Sequence, residues 1–299
     1  MEVKTKLKLG AHLSIAGGIH KALVRAKKLE CNTVQIFLKN NNRWFSKPLN
    51  QNDIELFKQK LKSFLISPLI AHSGYLANLA SPIEINRERA IDNIIDDMIR
   101  VYMIGLDYLV IHPGASIDGD INQGLRRLSS SLLSIINSAP PVKILLETSA
   151  GSGTQICYRF DQIAKIIDLL DNKIGVCIDT CHIFAAGYKI NTELGFYYMI
   201  KEIEDTIGLS KINVIHLNDS KYRCGSRIDR HQHIGMGQIG LNSFELIINF
   251  PQISLLPFII ETPKEKNADG VDMDLINLSV IRSLYQKRGS AGCPKTSFL

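Results

Sequence analysis

Six times along the chain a short apolar run ends in one side chain able to bind a metal: Ile70-Ala71-His72, Val110-Ile111-His112, Leu145-Leu146-Glu147, Cys177-Ile178-Asp179, Val214-Ile215-His216 and Ile259-Ile260-Glu261. Positions 72, 112, 147, 179, 216 and 261 lie 40, 35, 32, 37 and 45 residues apart. Each interval has room for a buried strand, a crossover helix and the next parallel strand. Two further strand candidates, 7–13 and 33–38, precede them and bring the count to eight. Segments of helical period fill the gaps at 15–29, 53–64, 84–104, 121–137, 160–170, 192–207, 243–248 and 273–285. Eight alternating units predict a single-domain α/β fold, a (β/α)8 TIM barrel over residues 1–287 with a flexible tail at 288–299. The start of the third helix is readable in Ser81-Pro82-Ile83-Glu84, with Ser81 as N-cap, a proline at the first helical position and Glu84 closing a capping box.

Apolar runs that do not alternate belong to strands covered on both faces, as in a parallel sheet wrapped by helices. An open doubly wound sheet would want a Gly-rich phosphate loop after its first strand, and Ala16-Gly17-Gly18 matches that pattern poorly. The longest uncharged stretch, 63–83, is broken by Pro68, His72, Gly74, Asn78 and Pro82, so no membrane span is expected. Residues 1–10 carry lysines without an apolar segment behind them, which is no secretory signal, and an intracellular protein is expected. Cys31, Cys157, Cys177, Cys181, Cys224 and Cys293 form no Cys-x-x-Cys pair and read as free thiols. The net charge of +6, from 35 basic and 29 acidic residues, favours a polyanionic partner only weakly.

Active sites of such barrels lie at the carboxyl ends of the strands, so the six terminal side chains should converge. His182, one helical turn past Asp179, and the Asp229-Arg230-His231 segment extend the set to nine. It contains five imidazoles (His72, His112, His182, His216, His231) and four carboxylates (Glu147, Asp179, Asp229, Glu261). At ~4 Å and an effective dielectric near 20, two carboxylates repel by ~4 kcal/mol, so a cation must hold them together. Mixed nitrogen and oxygen donors suit zinc, with manganese or iron as alternatives, better than calcium or magnesium. Nine donors, with one carboxylate bridging, suit two or three ions and leave room for water and substrate. Such a cluster fits phosphodiester hydrolysis. His12 is expected near the barrel mouth, His233 just past a ligand, and His20 on a solvated basic helix. Cys177 and Cys181 read as packing residues.

The segments Gly10-Ala11-His12-Leu13-Ser14, 177–187 (Cys-Ile-Asp-Thr-Cys-His-Ile-Phe-Ala-Ala-Gly), His216-Leu217-Asn218-Asp219-Ser220 and 225–231 (Gly-Ser-Arg-Ile-Asp-Arg-His) resemble the endonuclease IV family of apurinic/apyrimidinic endonucleases. The likeness runs over nearly the whole chain. It implies three zinc ions, with manganese an alternative at one site. One would be held by His72, His112 and Glu147, a second by Glu147, Asp179, His216 and Glu261, and a third by His182, Asp229 and His231. It further implies that Glu147 bridges two ions and orients the hydroxide nucleophile, with Glu261 its companion in catalysis. The implied substrate is double-stranded DNA with abasic sites, cut on their 5′ side to leave a 3′-hydroxyl and a 5′-deoxyribose phosphate. Blocked 3′ ends would be trimmed at the same site, with no obligate protein partner.

Family members are thought to bend DNA and flip the abasic sugar out of the helix. By the same resemblance Asn42, Arg43, Trp44, Tyr75, Leu76, Lys221, Arg223, Arg227 and Arg230 are candidate DNA contacts. The chain departs from the family where an arginine often stands two residues before the tryptophan: Asn42 is there, and Arg43 follows. Two rival readings remain. A sugar isomerase on a xylose-isomerase-like barrel could use Glu147, Asp179, His216 and Glu261 but has no need of the other five donors. A damage-binding protein could keep its metals for folding alone, and would bind abasic DNA without cutting it.

Overall fold

The structure is a computed structural model that describes residues 7–285, so the expected tail at 288–299 and Cys293 lie outside the described residues. In chain order the strands are β1 Leu9–Leu13, β2 Val34–Phe37, β3 Leu69–His72, β4 Tyr108–Ile111, β5 Lys143–Glu147, β6 Gly175–Asp179, β7 Ile212–His216, β8 Asp219–Ser220, β9 His231–Gln232 and β10 Phe258–Ile260. Eight of them close a parallel barrel in the order β1-β10-β7-β6-β5-β4-β3-β2. The two short strands β8 and β9 pair antiparallel outside it, and no apolar run in the sequence announces them.

The helices are α1 His20–Lys28, α2 Gln51–Ser63, α3 Glu84–Ile104, α4 Ile121–Ser138, α5 Phe160–Leu169, α6 Thr180–Ala186, α7 Glu193–Thr206, α8 Leu241–Asn249 and α9 Met273–Leu284. Three corrections to the sequence reading have local causes. Helix α1 begins at His20 and not at 15, because Gly17 and Gly18 take φ of 84° and 115°, which is turn geometry. The N-cap of α3 is Ile83, without a side-chain cap. Ser81 Oγ instead accepts from the Ile83 amide at 3.2 Å, a turn one step before the helix, so the capping box does not form. Helix α6 is an additional element. It follows β6 without a loop because Asp179 ends the strand and caps the helix, accepting from the His182 amide at 2.8 Å.

Among the described residues no helix is long and apolar enough to cross a membrane. The main core lies between the strands and the helical ring. A second, separate cluster fills the barrel axis: Ile70, Val110, Leu145, Cys177, Val214 and Ile259, all fully buried. Each of these precedes one of the six expected donors by two residues. In a strand, residues two apart share a face. One inward row therefore supplies both a dry layer and the polar layer above it, and the dry layer is the floor of the site.

Leu145 sits directly below Glu147 in that row. Leu145→Ala is expected to cost about 2–5 kcal/mol in urea unfolding, the range for a cavity in a rigid core. A cost below about 1 kcal/mol, well under that range, would show that the layer can collapse and is not a fixed floor.

Candidate metal centre

Glu147 closes β5, is fully buried, and divides its two oxygens between neighbours. Oε2 lies 3.1 Å from His72 Nε2 and 3.1 Å from His112 Nδ1, while Oε1 lies 2.8 Å from His216 Nδ1. The same His216 nitrogen is 3.1 Å from Glu261 Oε2 and 3.8 Å from Asp179 Oδ2. Beside them, His182 Nε2 lies 3.2 Å from Asp229 Oδ2, and His231 Nε2 lies 3.4 Å from Asp229 Oδ1 and 3.6 Å from Asp179 Oδ2. The structure thus brings all nine expected donors into one chain of contacts at the carboxyl end of the barrel.

These separations suit metal binding. Four donors at 2.0–2.1 Å around a tetrahedral zinc stand about 3.3 Å from one another. Donor atoms of His72, His112 and Glu147, of His72, His216 and Glu261, and of His182, Asp229 and His231 lie within 4.8 Å of each other in each set. The tautomers agree. His72 Nδ1 donates to the Ser73 carbonyl at 2.7 Å, His182 Nδ1 to the Thr148 carbonyl at 2.8 Å and His231 Nδ1 to the Glu261 carbonyl at 3.1 Å. A carbonyl can only accept, so each ring, when neutral, turns an Nε2 lone pair toward the carboxylates. His231 Nε2 is buried and has no hydrogen-bond partner among the described residues, as a metal-directed atom would be.

The electrostatics show how much cation the site calls for. Burial alone would push the Glu147 carboxyl up, but His112 and His216 beside it, with hydrogen bonds from His216 and His72, hold it well below the usual range. Glu261 is likewise held well down against burial by His216 and by hydrogen bonds from His12 and His216. His216 and His182 move the other way: burial disfavours their charge, yet neighbouring acidic groups raise both well above an ordinary histidine. Without ions, protons on these rings supply the positive charge. Burial pushes the Cys177 and Cys181 thiols up to about 12, which keeps them neutral and leaves them as packing groups.

Several groups around the donors escape a reading of the sequence. Asn218 Nδ2 donates to Asp179 Oδ2 at 2.6 Å and its Oδ1 accepts from the Glu261 amide at 2.7 Å. Gln35 on β2 is fully buried against His216 and Glu261. The Asn218 position lies inside a motif already quoted, whereas nothing in the sequence near Gln35 marks it as polar machinery. His12 does sit at the mouth, its Nδ1 3.0 Å from Glu261 Oε1. His233 Nε2 lies 2.8 Å from Glu265 Oε1, and His20 is half-buried, not solvated as expected.

The candidate DNA-contact residues lie in the loop segments 42–44, 75–76 and 221–230. Asn42, Arg43, Lys221, Arg223, Arg227 and Arg230 are all exposed. Tyr75 is 64% exposed, and its ring stacks on His112 with 5.8 Å between centroids, beside the half-exposed Leu76. The Arg227 guanidinium lies 4.9 Å over the Tyr158 ring, which holds it in place. Trp44 is half-buried under Arg89 at 4.7 Å, with its carbonyl bonded by Asn93, so its indole packs the loop onto α3. The anchor of that loop is Lys39, a buried ammonium that reaches Asp96 at 2.9 Å, Asp97 at 3.0 Å and the Asn93 carbonyl at 3.1 Å.

The profile of the xylose isomerase-like TIM barrel family matches residues 23–279. A probable endonuclease 4 from Geotalea daltonii is 42% identical over 285 residues, covering 94% of this chain and 99% of that protein. The crystal structure of endonuclease IV from Thermus thermophilus matches with a TM-score of 0.83 at 30% identity, covering 93% of this chain and 98% of that one. The 3-keto-D-glucoside 4-epimerase from E. coli matches with a TM-score of 0.65 at 15% identity over 93% of this chain and 100% of its own, a likeness of fold alone.

Asp97 gives the loop anchor a pH signature. Burial pushes its carboxyl up to about 6 despite Lys39. A raised acid contributes stability that is complete below the unfolded value near 3.9 and lost as pH rises through about 6, a fall of about 3 kcal/mol. Asp97→Asn removes this titration, so in urea unfolding between about pH 4 and 6.5 the variant should gain on the parent as pH rises. A difference that stays flat across that window would contradict the assignment.

Proposed function

The chain belongs to the endonuclease IV family of xylose isomerase-like TIM barrels, and from that membership and its donor cluster we propose that it is a zinc-dependent endonuclease of DNA repair. Its substrate is double-stranded DNA carrying an abasic site. The enzyme cuts the phosphodiester on the 5′ side, leaves a 3′-hydroxyl and a 5′-deoxyribose phosphate, and trims blocked 3′ ends. The observation that carries this reading is the His182, Asp229 and His231 set standing against the Glu147-centred group. A sugar isomerase or epimerase has no need of this further set, whereas several cations together can clamp a phosphodiester, with charge on its attacking and leaving oxygens.

His72, His112 and Glu147 would hold one zinc. Glu147, Asp179, His216 and Glu261 would hold a second, and His182, Asp229 and His231 a third, with manganese an alternative at one of them. Bound there, zinc supplies Lewis acidity that lowers the pKa of water and neutralises charge gathering on the phosphate. The protein's own groups do the rest. Glu147, fixed by three imidazoles at 2.8–3.1 Å, orients the nucleophile, and Glu261 faces it across His216. The dry layer beneath excludes water from below, so the site opens only toward the loops.

At that opening Tyr75 and Leu76 present apolar surface that can enter a duplex already lacking a base, where unstacking costs least. Arg43, Lys221, Arg223, Arg227 and Arg230 bind backbone phosphates, which fixes position without reading sequence. Asn42 is exposed in the loop that Trp44 packs from within.

A nicking assay on a duplex with one abasic analogue tests the proposal. Chelation should abolish cleavage and zinc should restore it. Glu261→Gln should lower the rate by more than about 100-fold, beyond the cost of disturbing even an outer partner of a metal ligand. Full activity after exhaustive chelation, or a nick on the 3′ side of the lesion, would overturn it.

A further inference from the structure

His72, His182 and His231 have their outer ring nitrogens tied to backbone carbonyls, but His216 does not. Its Nε2 faces the side chain of Gln35, with 2.8 Å to Gln35 Oε1. The other end of that amide donates from Nε2 to Glu261 Oε1 at 2.6 Å. Gln35 comes from β2, level with His12 on β1, and these are the two barrel strands whose ends carry none of the nine donors.

The direction of the amide follows from chemistry. A carboxylate oxygen in this network only accepts, so the NH2 end must face Glu261 and the carbonyl end must face His216. An amide carbonyl also only accepts, so His216 carries its proton on Nε2. In the neutral ring that a metal requires, the Nδ1 lone pair is thereby directed to the side of Glu147 Oε1, Glu261 Oε2 and Asp179 Oδ2, which lie 2.8, 3.1 and 3.8 Å from it. His12 Nδ1, 3.0 Å from Glu261 Oε1, shares that acceptor with Gln35 and pins the same oxygen. With Oε1 occupied twice, Oε2 is the Glu261 atom left for a cation.

We propose that Gln35 is a positioning residue of the metal centre: one buried amide sets the tautomer of His216 and the rotation of the Glu261 carboxylate, and so completes the binding set they share with Glu147 and Asp179. This rests on the zinc reading above. Gln35 is fully buried beneath two donors, so it acts through them and does not meet DNA. Its loss should lower turnover while leaving the KM for an abasic duplex unchanged.

The test is zinc affinity, measured by competition with a chelator, in the full-length protein and in Gln35→Met, which keeps the length of the side chain and removes both hydrogen bonds. The parent should hold three zinc ions. The variant should hold two with unchanged affinity and the remaining one about 10–100-fold more weakly, the usual effect of losing a partner of a metal ligand. Equal affinity for all ions in both proteins would overturn the role of Gln35 and leave the zinc reading intact. A parent that takes up no zinc would overturn both. A second measurement needs no variant: in the zinc-loaded parent, long-range 1H–15N spectra should show the His216 proton on Nε2. A proton on Nδ1 would overturn the proposal even if Gln35→Met does not fold.

Discussion

Negative charge gathered in a dry place is the constraint on which this molecule depends. Glu147 and Asp179 are fully buried and Glu261 nearly so, with Asp229 at their edge. Each close pair of such carboxylates repels by ~4 kcal/mol at an effective dielectric near 20. Five imidazoles interleave with them, and the raised His182 and His216 show how strongly the pocket draws positive charge when only protons are on hand. An arrangement of this kind costs stability unless cations fill it, and its retention is understandable as the requirement of a metal-using site.

The barrel makes the arrangement possible through one simple periodicity. Along each strand the inward positions alternate with outward ones, so an aliphatic residue and a donor two places later stand one above the other. Six repeats of that pair give the layer from Ile70 to Ile259 and the ring from His72 to Glu261. The donors can then be held by backbone and amide partners on neighbouring strands, as Thr148 holds His182 and Asn218 holds Asp179. Loops are left to supply the surface for a long ligand, while the reacting groups stay on rigid strand ends.

The strand ends are legible in the sequence because apolar runs closed by polar donors are rare and the intervals between them match one β/α unit. Helix α3 is legible to the residue at both bounds, since Glu84 opens a strong period and Gly105 ends it with φ 75°. Other features depend on register that a linear pattern does not display. Gln35 looks like any residue of a short strand until β2 is aligned with β1, and only then does its amide fall between His216 and Glu261. Nothing in the sequence sets Lys39 apart, yet the chain folds it under the loop onto Asp96 and Asp97. Ser81 fails as an N-cap because its hydroxyl satisfies a nearer amide, a local competition that composition rules do not rank.

Anomalous diffraction at the zinc edge from crystals of the zinc-loaded protein bears most directly on the central claim. It should show three peaks at the carboxyl end of the barrel, two of them sharing Glu147 and the third held by His182, Asp229 and His231. A single peak, or peaks away from these nine side chains, would contradict the account.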